Sequence, residues 1–111
     1  MIRILLLDSD HAHAERLAHH LGRRGMHVQV SGDLQAAVSH LRRPSGDYEM
    51  VLVNVSDSSQ LWASILSRLE EAIHQSGRHP GPSLLCISRV KKPPHFALQL
   101  ERKGARLAYE R

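Results

Sequence analysis

Met50-Val51-Leu52-Val53-Asn54 is a short apolar run that closes on an amide, and the chain opens on a second such run, Ile2 to Leu7, which closes on Asp8-Ser9-Asp10. Short continuous apolar runs of this kind read as strands. Each delivers polar side chains at its C-terminal end, where open α/β sheets carry their sites. The two together predict an α/β sheet with a site along that edge.

The rest of the chain falls into place around these runs. After the first strand, Asp10 is a candidate N-cap for a helix from His11 to Arg24, with Ala14, Leu17, Ala18 and Leu21 at helical spacing. Gly25 suits the left-handed position that ends a helix. A strand from His27 to Ser31 follows, then a helix capped by Asp33 and running through Arg43, with Leu34, Ala37, Val38 and Leu41 facing inward. Pro44-Ser45-Gly46-Asp47 reads as a turn, and Glu49 to Val55 as the third strand. Ser56-Asp57-Ser58-Ser59 supplies caps for a long helix, Gln60 to Gln75. Beyond the loop from Gly77 to Pro82 come a fourth strand, Ser83 to Ser88, a helix from His95 to Lys103 and a fifth strand, Ala105 to Tyr109. Lys91-Lys92-Pro93-Pro94 reads as a non-helical, exposed loop. Strands and helices in strict alternation predict a parallel sheet with right-handed crossovers.

At 111 residues and 41% hydrophobic composition, residues 1–111 form one domain. No apolar stretch approaches the ~20 residues of a membrane-spanning helix. Ile2 to Leu7 is too short for a secretory signal and runs into acids, so a cytoplasmic protein is expected. The lone Cys86, inside an apolar strand, reads as a packed thiol in a reduced compartment. The formal charge is +4, but the basic pairs Arg23-Arg24, Arg42-Arg43 and Arg102-Lys103 fall at the ends of predicted elements, where the helix dipole favours them. Direct nucleic-acid binding is not expected.

With the elements in order, the chain resembles the receiver domains of two-component response regulators. The residues that carry the resemblance are Arg3-Ile4-Leu5-Leu6-Leu7-Asp8-Ser9-Asp10, Glu49-Met50-Val51-Leu52-Val53-Asn54, Leu85-Cys86-Ile87-Ser88, and Gly104-Ala105 before the last strand. The resemblance implies a flavodoxin-like, doubly wound, five-stranded parallel sheet in the order 2-1-3-4-5. It also implies a site. Family members hold Mg²⁺ with two adjacent acids after the first strand and receive a phosphoryl group on an aspartate ending the third. A Ser or Thr ending the fourth strand and a Lys after the fifth contact that phosphoryl group. Here Asp8 matches the first acid and Ser9 stands at the second. Asp10 is a further acid with a capping role, Asn54 stands at the acceptor, and Ser88 matches the hydroxyl. An ungapped count puts Arg111 at the lysine.

An amide cannot form an acyl phosphate, because the chemistry needs an anionic oxygen nucleophile. Mg²⁺ seeks hard oxygen ligands, and two carboxylates are missing, so its binding is expected to be weak or absent, with no other cofactor. The resemblance thus implies a pseudo-receiver: a non-enzymatic signalling and protein-interaction module, in bacterial signal transduction or transcription regulation, that works without phosphorylation. Two alternatives stay open. One is a degenerate receiver phosphorylated on Asp8, Asp10 or Asp57. The other is a small flavodoxin-like ligand-binding domain or enzyme using the same edge. A purely structural reading of Asp8, Asn54 and Ser88 also stays open.

The nine histidines include no His-x-x-x-His pair, and with Cys86 isolated they form no metal set, so they read as solvated surface residues. Trp62 and Leu66 read as helix core or, if exposed, as an interaction patch, with core favoured. Receivers close with a fifth helix, which this sequence lacks before Arg111. An uncovered apolar sheet face is therefore expected: either the sequence is a fragment of a longer regulator or something else covers the gap, with a second copy of the chain as the simplest cover, giving a homodimer or a domain-swapped one.

Overall fold

The computed structural model describes residues 1–78 and 80–110. Nine elements alternate along them: β1 (Arg3–Leu7), α1 (His11–Gly22), β2 (His27–Ser31), α2 (Leu34–Arg42), β3 (Met50–Asn54), α3 (Trp62–Gln75), β4 (Ser83–Ser88), α4 (Pro94–Arg102) and β5 (Ala105–Tyr109). The five strands form one parallel sheet in the order β2-β1-β3-β4-β5. This is the flavodoxin-like arrangement expected from the sequence. β1 and β3 lie at its centre because their apolar runs can be buried on both faces, and Leu5, Leu6, Val51 and Val53 are fully enclosed.

Each face of the sheet has its own apolar layer. Leu5, Leu7, Val51, Val53 and Cys86 pack with Ala37, Val38 and Leu41 of α2, Leu66, Leu69 and Ala72 of α3, and Leu100 of α4. On the other face Ile4, Leu6, Leu52 and Ile87 meet α1 through Ala14, Leu17 and Leu21. The described residues include no helix beyond β5. On that second face Met50 and Leu85 stay half-buried, and Ala108, paired with Ile87, is exposed. No helix of the described residues is long and apolar enough to cross a membrane.

Local chemistry accounts for most element ends. The Asp10 carboxylate accepts from the His13 N–H and that of Asp33 from the Ala36 N–H, so both expected caps form. Gly25 takes φ +87°, the left-handed conformation that favours glycine. Gly46 is required by space, since a Cβ there would sit 2.3 Å from the His40 carbonyl oxygen.

Three expectations are corrected. α1 ends at Gly22 and not Arg24, with Arg23 as its C-cap. α3 begins at Trp62, and its N-cap, Leu61, offers no side-chain hydrogen bond. The Ser56–Ser59 cluster does not cap it, because the Asp57 carboxylate turns back onto the N–H and hydroxyl of Ser59 and Ser56 serves Asn54. At the same edge of the sheet, Pro94 opens α4, a position where a missing N–H costs nothing, and Lys92 is buried although Lys91, Pro93 and Pro94 around it are exposed as expected. Leu66 is core as expected, and Trp62 packs half-buried against it.

Candidate functional site at the C-terminal edge of the sheet

The parallel strands bring Asp8, Asn54 and Ser88 to one edge, and the sheet ladder continues past β5 to add a fourth residue. The Glu110 N–H donates to the Ser88 carbonyl at 2.9 Å, carrying Glu110 to the same rim. α1 supplies a fifth. His13 stands three residues after the N-cap, the position from which a side chain leans back over the helix start. Its ring lands on the rim and is only 6% exposed.

His13 lies between two acids. Its Nδ1 is 2.5 Å from Asp8 Oδ2, and its Nε2 is 2.8 Å from Glu110 Oε2. Both ring nitrogens can donate to these carboxylates only when the ring is protonated. Burial alone would lower its pKa, but the hydrogen bonds and charges of Asp8 and Glu110 outweigh burial and raise it above 6.5. The Asp8 carboxylate, 2% exposed, is filled on its other oxygen as well. Oδ1 accepts from the Asp10 N–H at 2.9 Å and from Asn54 Nδ2 at 3.1 Å.

Asn54 is equally committed. Its Oδ1 accepts from the Ser56 N–H at 3.1 Å and the Ser56 hydroxyl at 2.6 Å. Ser56 Oγ in turn accepts from the Arg89 N–H. The Ser88 hydroxyl donates to the Val90 carbonyl at 2.6 Å, which spends its proton on the loop. Above this closed layer an open depression of about 520 Å³ is lined by Ser9, Asp10, Ser56, Asp57, Arg89 and Val90. The Arg89 guanidinium reaches across it to Asp10 Oδ2 at 3.0 Å. The Asp10 pKa is lowered, first by the His13 N–H and then by Arg89. That of Asp57 is lowered chiefly by Ser59.

The structure therefore places Asp8, Asn54, Ser88 and Asp10 at one edge of the sheet. Ser9 and Asp57 lie only on the rim of the depression. Arg111, the expected lysine counterpart, lies outside the described residues. His13 was read as a solvated surface residue, and that reading is overturned: it is the buried centre of the cluster. Glu110 was not singled out at all. The signal for His13 was its place three residues after a capping aspartate. For Glu110 it was the position immediately following an edge strand.

The four-helix, five-strand topology with polar groups at the ends of β1, β3 and β4 has close counterparts among solved structures. A two-component response regulator from Clostridium difficile superposes with a TM-score of 0.76 at 13% identity, over 99% of this chain and 82% of that one. The fold is that of a response-regulator receiver. The chemotaxis protein CheY4 of Vibrio cholerae aligns at TM-score 0.76 and 15% identity, covering 99% of this chain and 85% of its own. CheY in the Borrelia burgdorferi CheX-CheY-BeF3-Mg²⁺ complex aligns at 0.77 and 15%, covering 99% and 78%. No protein-family model matches the sequence, and no curated protein sequence matches it either.

The receiver fold raises the question of Mg²⁺, and the donor set answers it. Mg²⁺ seeks open carboxylate and carbonyl oxygens. Both Asp8 oxygens are already covered by donors, Ser9 has no carboxylate, and the Asn54 oxygen accepts two hydrogen bonds. Among the described residues no group of three or more His, Cys, Asp or Glu is disposed to hold a metal ion. These residues do not fit Mg²⁺.

Proposed function

We propose that this chain is a non-enzymatic, receiver-like signalling and protein-interaction module, a pseudo-receiver that responds to binding or self-association and not to aspartyl phosphorylation. The observation that carries this reading is the closed pocket edge. Asn54 stands at the end of β3 with its amide spent on Asp8 and Ser56, and the His13 ring covers the Asp8 carboxylate. Acyl-phosphate formation needs a free anionic oxygen in line with the leaving group. Asp10 and Asp57 do not supply one readily, because the first is held by the His13 N–H and Arg89 and the second by Ser59 and Gln60. The receiver-fold neighbours support a role in bacterial signal transduction or transcription control, and the proposed setting is the cytoplasm. The half-buried Met50 and Leu85 beside the exposed Ala108 support self-association through that sheet face, which sedimentation across a concentration series tests.

An amide NMR titration with Mg²⁺ and beryllofluoride, an acyl-phosphate mimic, tests the main reading. The wild type is expected to give no saturable shifts. A Ser9→Asp/Asn54→Asp variant, with both acids restored, is expected to shift around residues 54 and 88. Saturable wild-type shifts at those residues would overturn the reading in favour of an active receiver of unusual sequence.

A further inference from the structure

The first turns of α3 and α4 border a groove of about 420 Å³, separate from the His13 cluster, whose walls include Ser58, Leu61, Trp62, Ala63, Lys92 and Phe96. Lys92 is 7% exposed, unusual for an ammonium-bearing side chain without a partner acid. Its Nζ has a long contact of 3.4 Å to Ser58 Oγ and lies 5.2 Å from the centre of the Phe96 ring. None of the ion pairs formed by the described residues includes Lys92. Asp57 feels its charge but is turned onto Ser59 and Gln60. No residue lining the groove is acidic.

A second, independent feature faces the same space. α3 starts without a side-chain cap, and among the described residues the N–H groups of Trp62, Ala63 and Ser64 have no acceptor. An open helix start favours an anion through its N–H groups and its dipole. The remaining walls combine apolar Leu61, Trp62, Ala63, Pro93 and Phe96 with the neutral polar side chains of Ser58, Gln60, Ser64 and Gln99, and Leu61 is 77% exposed. A buried lysine side chain, an uncapped helix and a partly apolar wall thus converge on one groove.

We propose that this groove docks an acidic segment of a partner protein. An Asp or Glu carboxylate sits between Lys92 and the first N–H groups of α3, and a neighbouring apolar side chain packs on Leu61, Trp62 and Phe96. A single ammonium with no arginine in the lining matches one carboxylate better than a phosphoryl group, which favours the bidentate guanidinium fork. Leu61, Trp62 and Phe96 offer packing surface to a ligand with an apolar body, which a bare ion cannot use. The net charge of +4 steers an acidic partner toward the chain. The proposal does not depend on whether the receiver pocket accepts a phosphoryl group.

The test titrates the full ¹⁵N-labelled chain with acetyl-Ala-Asp-Leu-Phe-Ala-amide, with its Asn counterpart, and with inorganic phosphate. The acidic peptide is expected to shift the amides of Trp62, Ala63 and Ser64 saturably. Affinity is expected to fall about tenfold or more for the Asn peptide and in Lys92→Met, the loss typical of one charge-assisted contact. Methionine keeps an apolar stem on Phe96, and an otherwise unchanged spectrum verifies the fold. If that variant does not fold, the Asp–Asn comparison on the wild type decides. Equal affinity for the two peptides, no saturable shift at these amides, or phosphate binding there more tightly than the peptide would each overturn the proposal.

Discussion

Replacing His13 with alanine removes the one side chain that joins Asp8 to Glu110. Asp8 is 2% exposed, so the variant leaves a buried carboxylate held only by the Asp10 N–H and the Asn54 amide. Breaking a buried ion pair by deleting one partner costs about 3–5 kcal/mol. The Glu110 side chain is 29% exposed and regains water, which favours the low end, about 3 kcal/mol. For a domain of this size that corresponds to a fall in Tm of roughly 10–15 °C. The dependence on pH distinguishes charge from packing. The folded-state pKa of His13 lies above 6.5, so the folded ring holds its proton after the unfolded one has lost it. Its stabilisation is complete below pH 6.5 and declines as pH rises through the folded value, by up to about 1.4 kcal/mol per pH unit. Urea denaturation of wild type and His13→Ala at pH 6 and pH 9 measures this. The deficit should be larger at pH 6. His40, whose pKa is lowered by burial and by Arg43, gives up stability as pH falls below 6.5, but it does so in both proteins and cancels. Adding Asp8→Asn to His13→Ala should recover about half the loss, because no buried charge then remains. A deficit below about 1 kcal/mol, or one equal at the two pH values, would refute the ion-pair argument and leave His13 a packing residue.

Two further predictions concern the scaffold. Gly46→Ala drives a methyl group against the His40 carbonyl and should cost about 1–3 kcal/mol. Gly22→Ala meets nothing within 4 Å at the end of α1 and should stabilise by about 0.4–1 kcal/mol. Thermal denaturation that ranks the two variants the other way would contradict the packing described for the α2–β3 turn. Burial pushes the Cys86 thiol up to about 12, so a thiol reagent at pH 8 should react only as fast as the protein opens. Rapid labelling under native conditions would place Cys86 at an accessible surface.

The fold was legible because its strongest signals were local. β4 and β5 start directly after Pro82 and Gly104, β2 stops just before Gly32 and the capping Asp33, and the bounds of all three match the reading residue for residue. The sheet edge was legible for the same reason: parallel strands bring their last and next residues to one C-terminal rim, as Asn54 at the end of β3 and Asp8 just after β1 show. The start of α3 was misread because Ser56 and Asp57, good caps by type, are taken by Asn54 and Ser59. Type alone cannot say which acceptor a short polar side chain will choose. His13 was missed for a related reason. A search for metal sets asks whether histidines share a helical face, whereas His13 acts alone and leans back to the strand before its own helix. Glu110 needed the β4–β5 register, which no local pattern contains.

The same register explains why the cluster has consequences beyond its own stability. A carboxylate as buried as Asp8 requires a counter-charge, and in receivers that bind Mg²⁺ the counter-charge arrives from solution. Here the His13 ring, brought in by α1, lies against that carboxylate from within the chain. The ring also links three elements that are distant in sequence: the end of β1 through Asp8, the start of α1 through its own backbone, and the end of β5 through Glu110. Glu110 is the most accessible of the three linked side chains, and its backbone is already paired to Ser88, whose hydroxyl fixes the β4–α4 loop at Val90. A partner that draws the Glu110 carboxylate away removes one of the two acids that hold the His13 proton and weakens the grip on Asp8. Glu110→Gln should reproduce that state without a partner. The His13 pKa should fall in an NMR titration of its ring, and the amides of residues 8, 13 and 54 should shift together. Movement confined to Glu110 and its neighbours would mean that the three elements are adjacent but not coupled.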